Sequence, residues 1–251
     1  MLGCGTSHGV PMIGCDCAVC LSDNPRNKRT RSALFLGGEG YNVLIDCPPE
    51  LRMQLTRERI SQIERVLITH SHADHVMGMD DLRRLYEMTG KPVKVWAQPS
   101  VLEDIRRIYR YAFERPTQVG GGLPAYELSS VWGDAPSEAV LPPDIEVFEV
   151  LHGNLPVLGV KVRGFAYLTD VSEIPDRDRL KGLETLVIDA TRIKPHPTHL
   201  NLEQALAVIE DLKPAKAYLT HLSHDYDFEE TNKNLPKGTE LSYDGLRIRI
   251  S

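Results

Sequence analysis

The sequence lacks the features of a membrane or secreted protein. None of its apolar stretches is long enough to cross a bilayer, and the amino terminus has no charged segment followed by an apolar one. These absences predict a cytoplasmic protein without a membrane partner. A basic surplus is also missing, because 29 Lys and Arg residues stand against 35 Asp and Glu residues, for a net charge of −6. That balance argues against a non-specific grip on polyanionic nucleic acid.

Linkers, internal repeats and low-complexity tracts are absent as well. The chain has 251 residues, of which 41% are hydrophobic, and this is enough to bury a sizeable core. Strand-like and helix-like segments alternate from end to end, so we predict one domain over residues 1–251. The pattern weakens between Glu114 and Pro143, where we expect a lid or an oligomer contact such as that of a homodimer.

The densest set of candidate ligands is His70, His72, Asp74 and His75, which directly follow the apolar residues 66–68. The apolar run predicts a buried strand that delivers its carboxyl end to a site. Three imidazoles and a carboxylate suit Zn²⁺, Mn²⁺ or Fe²⁺. One ion could not take all four ligands from so short a loop without strain, so the pattern favours two ions. A polar loop with accidental histidines is the alternative.

This His-x-His-x-Asp-His pattern resembles the signature of the metallo-β-lactamase superfamily of dinuclear hydrolases. The resemblance covers nearly the whole chain and implies an α/β fold, the four-layer αβ/βα sandwich of two facing sheets clad by helices. It also implies further ligands at later strand ends. The ligand sets implied for two Zn²⁺ or Mn²⁺ ions are His70, His72 and His152 for one, Asp74, His75 and His221 for the other, and Asp170 as the bridge.

A separate metal-ligand pattern is Cys15-x-Cys17-x-x-Cys20. The chain has five cysteines, and without a secretion signal their crowding favours metal over disulfides. Three thiolates and one imidazole make a closed tetrahedral Zn²⁺ site of the structural kind. His224 is the predicted fourth ligand, because it lies three residues beyond His221 and can turn the other way. A metal-free loop of reduced thiols is the alternative.

The cysteine pattern, the segment Gly5–Pro11 and the segment Gly78–Arg83 resemble the PhnP-type phosphodiesterases of carbon–phosphorus lyase pathways. That resemblance implies hydrolysis of small phosphodiesters, in particular cyclic ribose or nucleotide phosphodiesters, by a hydroxide shared between the two ions. It also implies a general acid or phosphate-binding histidine just ahead of a helix. Asn201 opens such a helix with a capping-box variant, so we assign the role to His199 and keep His196 as the alternative.

Three more residues complete the predicted site. Asp46 ends a strand and is expected to orient a ligand histidine, although an ordinary strand-end aspartate fits the pattern equally well. Asp74 is expected to serve catalysis through its metal. Arg83 is a candidate for binding the substrate phosphate, with a helix-surface role as its alternative.

Two other functions compete with the phosphodiesterase. A nuclease of the tRNA 3′-processing kind, like ribonuclease Z, shares two features of this sequence. One is the His-x-His-x-Asp-His pattern of residues 70–75, here called the metal box, and the other is the glycine-rich segment Gly5–Pro11. Such a nuclease usually carries a basic arm for tRNA, and the middle of this chain has no Lys- and Gly-rich insert of that type. A non-catalytic metal- or nucleotide-binding module is the second alternative, and the presence of every expected ligand disfavours it. The missing secretion signal disfavours a β-lactamase.

Overall fold

The computed structural model describes residues 1–38, 40–114, 122–132 and 141–250. The chain divides into two units, residues 1–32 with 144–251, and residues 33–143. The single domain over residues 1–251 stays a prediction. Half of the segment predicted as a lid or an oligomer contact, residues 115–121 and 133–140, lies outside the described residues.

Short helices and strands alternate along the described chain. The strands are Leu34–Leu36 (β1), Val43–Ile45 (β2), Arg65–Leu67 (β3), Val93–Ala97 (β4), Tyr126–Ser130 (β5), Ile145–His152 (β6), Leu155–Val162 (β7), Phe165–Leu168 (β8), Thr185–Asp189 (β9), Lys216–Thr220 (β10) and Thr239–Leu241 (β11). The α-helices are Ala18–Leu21 (α1), Leu51–Glu58 (α2), Ala73–Val76 (α3), Arg83–Thr89 (α4), Pro99–Ile108 (α5), Arg110–Phe113 (α6), Leu202–Leu212 (α7) and Phe228–Asn234 (α8). Among the described residues, no helix combines the length and the apolar composition needed to cross a membrane.

The sheet of unit 33–143 has the strand order β1-β2-β3-β4-β5. β1 and β2 pair antiparallel, whereas β2, β3, β4 and β5 are parallel neighbours. Val43, Leu44 and Ile45 of β2 are fully buried, as expected for a strand covered on both faces. Because β2 and β3 are parallel, their carboxyl ends share one edge of the sheet. This edge brings Asp46 beside the residues that follow β3.

The sheet of the other unit has the order β11-β10-β9-β8-β7-β6. Strands β8 to β11 are parallel, and β7 is antiparallel to both β6 and β8. β6 therefore runs in the same direction as β8, β9 and β10. The carboxyl ends of these four strands lie at one edge, where four polar residues stand: His152, Asp170, Asp189 and His221.

The predicted capping box at the start of α7 is confirmed. The Asn201 side chain accepts a hydrogen bond from the Gln204 amide, and the Gln204 side chain accepts one from the Asn201 amide, each at 3.0 Å. Ala205, Val208 and Leu212 bury the inner face of the helix. The cap fixes the start of the helix at Leu202. The residues before it, which include the candidate general acid His199, are therefore not helical.

Candidate metal centre

The metal box forms two donor pairs within unit 33–143. His70 Nε2 and His72 Nδ1 are 3.0 Å apart, and His75 Nε2 and Asp74 Oδ2 are 3.3 Å apart. Two nitrogens bound to one tetrahedral zinc ion at about 2.0–2.1 Å each lie about 3.3 Å from one another. The spacing of both pairs therefore fits ligands that converge on an ion.

Asp46 holds the metal box through hydrogen bonds to His75 and to Thr69, the residue just before the box. Its buried carboxylate accepts hydrogen bonds from the Thr69 amide at 2.8 Å and from the His75 Nδ1–H at 2.7 Å. A carboxylate at Nδ1 fixes the tautomer, so Nε2 is the nitrogen that His75 directs toward Asp74. Burial raises the pKa of the Asp46 carboxyl, and the His75 ring and the Thr69 donors oppose that shift.

Gly78 allows the segment after α3 to lie directly on the chain that follows Asp46. A Cβ added at Gly78 would meet the Pro48 carbonyl oxygen at 1.9 Å. At this close approach, the Gly78 amide donates to the Cys47 carbonyl at 2.8 Å, and the Cys47 amide donates to the His75 carbonyl at 2.7 Å. Any larger residue at position 78 would push the box away from its support.

The other unit places three predicted ligands at its sheet edge. His152 ends β6, and its Nδ1–H donates to the Thr198 carbonyl at 2.6 Å. His221 Nε2 lies 3.2 Å from Asp170 Oδ1, which makes a third donor pair. Asp170 and His221 both adopt left-handed backbone, with φ of 54° and 56°. Such conformations cost about 1–3 kcal/mol each in residues other than glycine and persist only where the surrounding structure holds them.

Asp189 is a functional candidate whose role was not predicted from the sequence. It is fully buried at the end of β9, and its Oδ2 accepts from His199 Nδ1–H at 2.7 Å and from the Val171 amide at 2.9 Å. Its Oδ1 accepts from the Thr191 hydroxyl at 2.7 Å, and that hydroxyl lies 3.0 Å from His221 Nδ1. The one signal in the sequence was an aspartate at a strand end. One carboxylate thus orients the candidate general acid and, through Thr191, a predicted metal ligand.

His199 lies among the predicted ligands of its unit. Its ring centroid is 4.4 Å from that of His152 and 4.8 Å from that of His221. Ligand atoms of His152, Asp170 and His199 all lie within 4.8 Å of one another. His199 is buried, whereas His196 is half-buried, with its centroid 4.9 Å from that of His199. The structure thus places His199 directly beside the predicted ligands His152 and His221, and His196 next to His199.

The cysteine motif and His224 converge as the zinc pattern predicts. His224 Nδ1 lies 3.1 Å from Cys15 Sγ, 3.4 Å from Cys17 Sγ and 3.6 Å from Cys20 Sγ. Tetrahedral bonds of about 2.3 Å to sulfur and about 2.0 Å to nitrogen would separate S and N by about 3.5 Å. A hydrogen bond from the Cys20 amide lowers the pKa of Cys17 to about 6, whereas burial raises that of Cys20 to about 11. The four residues fit a zinc ion closely.

The contacts of Arg83 are with Asp80 and not with the donor pairs of the metal box. It begins α4, forms an ion pair with Asp80, and donates from Nε to the Asp80 carbonyl at 3.3 Å. These contacts are those of a helix-surface residue. Its role in binding substrate stays a prediction.

Known proteins resemble the chain along its whole length. A family model described as the beta-lactamase superfamily domain matches residues 41–222. A solved structure described as a new diphosphatase from the PhnP family is 38% identical, with a TM-score of 0.89, and the match covers 100% of this chain and 96% of that one. The chain belongs to the PhnP family of the beta-lactamase superfamily.

Two curated relatives match over a smaller share of their own length. An octanoyltransferase of Porphyromonas gingivalis (strain ATCC BAA-308 / W83) is 38% identical over 255 residues, which cover 100% of this chain and 51% of that protein. A ribonuclease Z of Gemmatimonas aurantiaca is 30% identical over 99 residues, which cover 38% of this chain and 32% of that protein. The chain thus spans about half of the octanoyltransferase, and that protein's named activity is not attributed to it.

This PhnP-family chain is a metal-dependent hydrolase with the metallo-β-lactamase fold. The predicted fold class, the αβ/βα sandwich of that superfamily, is confirmed. The donor chemistry also agrees with the family. Residues 1–32 with 144–251 contain groups of three or four His, Asp or Cys side chains spaced to bind metal, and residues 33–143 contain two donor pairs.

Proposed function

We propose that this PhnP-family hydrolase is a dinuclear phosphodiesterase of small substrates, in particular cyclic ribose or nucleotide phosphodiesters. The observation that carries the proposal is the pairing of His199 with Asp189 at 2.7 Å, beside the donors of His152, Asp170 and His221. A metal-dependent hydrolase that transfers a phosphoryl group to water uses metal ligands and a proton donor that lie near one another. Both stand at the same sheet edge of this unit.

The family pattern supports a specific set of ligands. We assign His70, His72 and His152 to one ion, and Asp74, His75 and His221 to the other, with Asp170 as the bridge. Imidazole and carboxylate donors suit Zn²⁺ or Mn²⁺. A further Zn²⁺ is assigned to Cys15, Cys17, Cys20 and His224, where three thiolates and an imidazole leave no open position for a substrate.

When bound, the ion pair would supply a nucleophile at neutral pH and offset the charge on the phosphoryl oxygens. The residues of the chain do the rest. Asp46 holds His75 through Nδ1, and Thr191 contacts Nδ1 of His221. Asp189 holds Nδ1 of His199, so the opposite nitrogen of that ring is left for the substrate. We assign to His199 the protonation of the departing oxygen.

A second candidate substrate is a diphosphate, because the full-length structural neighbour from the same family is described as a diphosphatase. Both candidates are small molecules, and the net charge of −6 supports them over a polyanionic RNA. A homodimer and a substrate role of Arg83 remain further predictions.

A turnover panel with metal-loaded protein tests the proposal. It comprises bis-p-nitrophenyl phosphate, ribose cyclic phosphates, 2′,3′-cyclic nucleotides, a nucleoside diphosphate, pre-tRNA and a thioester. We expect hydrolysis of the small phosphodiesters, and loss of that activity in His75→Ala with the fold retained. Elemental analysis should find close to three metals per chain. Turnover of pre-tRNA or the thioester alone, or one metal or fewer after reconstitution, would overturn the proposal.

A further inference from the structure

Helix α5 holds the metal box at two points. The Asp104 carboxylate, midway along the helix, accepts a hydrogen bond from the Ser71 hydroxyl at 2.7 Å. The Tyr109 hydroxyl, just past the end of the helix, donates to the Val76 carbonyl at 2.7 Å. Ser71 lies between the two alternating histidines of the box, and Val76 is the last residue of α3. One helix therefore contacts the segment that carries four predicted ligands near both of its ends.

The packing of α5 makes it a firm support for these contacts. Val101, Leu102 and Ile105 on its inner face are buried. Asp104 directly precedes the last of them, and its side chain is 38% exposed, so it stands at the border of the buried face. A helix packed in this way holds a neighbouring loop in a fixed place, because a shift of Asp104 would require the buried side chains to move with it.

His72 is the predicted ligand that depends most on the position of this loop. Its Nδ1 is the atom that faces His70 Nε2, at 3.0 Å. Nδ1 is the ring nitrogen nearer the backbone, so the backbone sets its position more closely than that of Nε2. His72 is also exposed, whereas His70 is buried and its Nδ1 lies 3.1 Å from the Thr69 hydroxyl. A backbone shift at Ser71 would therefore displace the donor atom of His72 more than that of His70.

The other donor pair of the box, Asp74 and His75, has supports of its own. The His75 Nδ1–H donates to the buried Asp46 carboxylate at 2.7 Å. Both residues of the pair belong to α3, and the Tyr109 hydroxyl holds the carbonyl at the end of that helix. These two bonds do not involve Asp104. Loss of the Asp104 contact should therefore act unequally on the two donor pairs.

We propose that Asp104 is a positioning residue for the ion assigned to His70, His72 and His152, and that it acts through the Ser71 hydroxyl. The inference rests on the proposed function, because it uses the ligand sets assigned there. Asp104 binds neither the metal nor the substrate and transfers no proton. It fixes the loop in the position where the two histidine nitrogens of the box converge, and thereby sets the affinity of one catalytic ion and not of the other.

Zinc affinity tests this role without turnover. Wild type and Asp104→Ala are titrated with zinc in competition with a chromophoric chelator. We expect one binding step to weaken by about tenfold, the lower end for a hydrogen bond to a charged group, because Asp104 is partly exposed. The other steps should change by less than about twofold. Anomalous diffraction from crystals grown at limiting zinc identifies the ion, because its occupancy should fall beside His70 and His72 and not beside Asp74 and His75.

Further variants separate positioning from a general effect on the fold. Asp104→Asn keeps an oxygen that accepts from Ser71 and should retain most of the affinity, whereas Ser71→Ala should reproduce Asp104→Ala. The double variant should bind zinc no more weakly than either single variant, because both changes remove the same bond. Arg107→Ala is the matched control. Arg107 pairs with Asp104 Oδ1 at 3.3 Å from the exposed face of the same helix, and its loss should leave zinc affinity unchanged.

Equal weakening of both catalytic ions in Asp104→Ala would show that the residue supports the fold alone and would overturn the positioning role. Unchanged zinc affinity in Asp104→Ala, or a double variant whose loss is the sum of the single losses, would overturn it as well. Turnover separates this role from the proposed function. A protein that shows the expected zinc pattern yet hydrolyses none of the phosphodiesters would contradict the proposed function alone.

Discussion

Replacement of Thr191 tests the support of the predicted metal ligand His221. The threonine hydroxyl has one proton, which it donates to Asp189 Oδ1 at 2.7 Å, so it accepts from His221 Nδ1–H at 3.0 Å. Thr191→Val keeps the shape of the side chain and removes both bonds. Direct contact cannot replace them without movement, because His221 Nδ1 and Asp189 Oδ1 are 3.9 Å apart.

The expected size of the effect follows from the number of groups that lose a partner. A buried polar group deprived of its partner costs about 1–3 kcal/mol. Asp189 and His221 each lose one partner, so the free energy of unfolding of the metal-free protein should fall by about 2–6 kcal/mol. Loss of the group that orients a metal-ligating histidine lowers metal affinity by about 10- to 100-fold, which is about 1.4–2.8 kcal/mol.

Two assays measure these quantities separately. Urea unfolding in the presence of a chelator gives the stability of the metal-free protein, and competition with a chromophoric chelator gives the zinc affinity. Thr191→Ser is the matched control, because it keeps the hydroxyl and should retain most of the metal affinity. If Thr191→Val bound zinc as tightly as wild type and lost less than about 0.5 kcal/mol of stability, the reasoning on the Asp189–Thr191–His221 chain would be refuted.

Three further predictions concern the zinc loop and the general acid. Cys17→Ser should release zinc and lower the melting temperature with a smaller effect on catalysis, because structural zinc contributes folding free energy; full zinc with lost catalysis would contradict this. In zinc-free protein at about pH 7.5, iodoacetamide should modify Cys17 before Cys20, because a pKa of about 6 leaves Cys17 ionised and one of about 11 leaves Cys20 protonated. Peptide mass mapping over time checks the order, and equal rates would argue against it. His199→Ala should slow a sugar cyclic phosphodiester by about 10²–10⁴-fold and an activated aryl diester far less, with metal content unchanged. Similar losses on both substrates would indicate that His199 anchors the phosphate.

Local patterns in the sequence were enough to predict the family and the fold. The apolar run just before the metal box predicts the strand that the box follows. Ligands this close in sequence are also close in space, whatever the fold of the rest of the chain. The same holds for Cys15, Cys17 and Cys20, and for the capping box at Asn201. In each case the geometry is set within a few residues, where sequence spacing and distance go together.

The roles of strand-end carboxylates could not be read in this way. Asp46 and Asp189 look alike in the sequence, as single aspartates after apolar strands. Asp46 contacts His75, which is 29 residues away, and Asp189 contacts His199, which is 10 residues away. Thr191, which donates to Asp189, also contacts His221, 30 residues further along the chain. Such contacts depend on which strands are parallel and adjacent, and adjacency is a property of the sheet.

The choice between His199 and His196 shows the same division. Their spacing from α7 made either one a candidate for the general acid, and both precede the helix cap. Only the tertiary structure set Asp189 against His199, because β9 ends at the edge where the segment ahead of α7 passes, whereas His196 bonds to Thr198, two residues further along the chain. The sequence by itself predicted which histidines, cysteines and aspartates of the metal box, the later strand ends and the cysteine motif could bind metal. The packing of distant strands decided which atoms of those residues are held by a neighbour and which are directed toward a ligand.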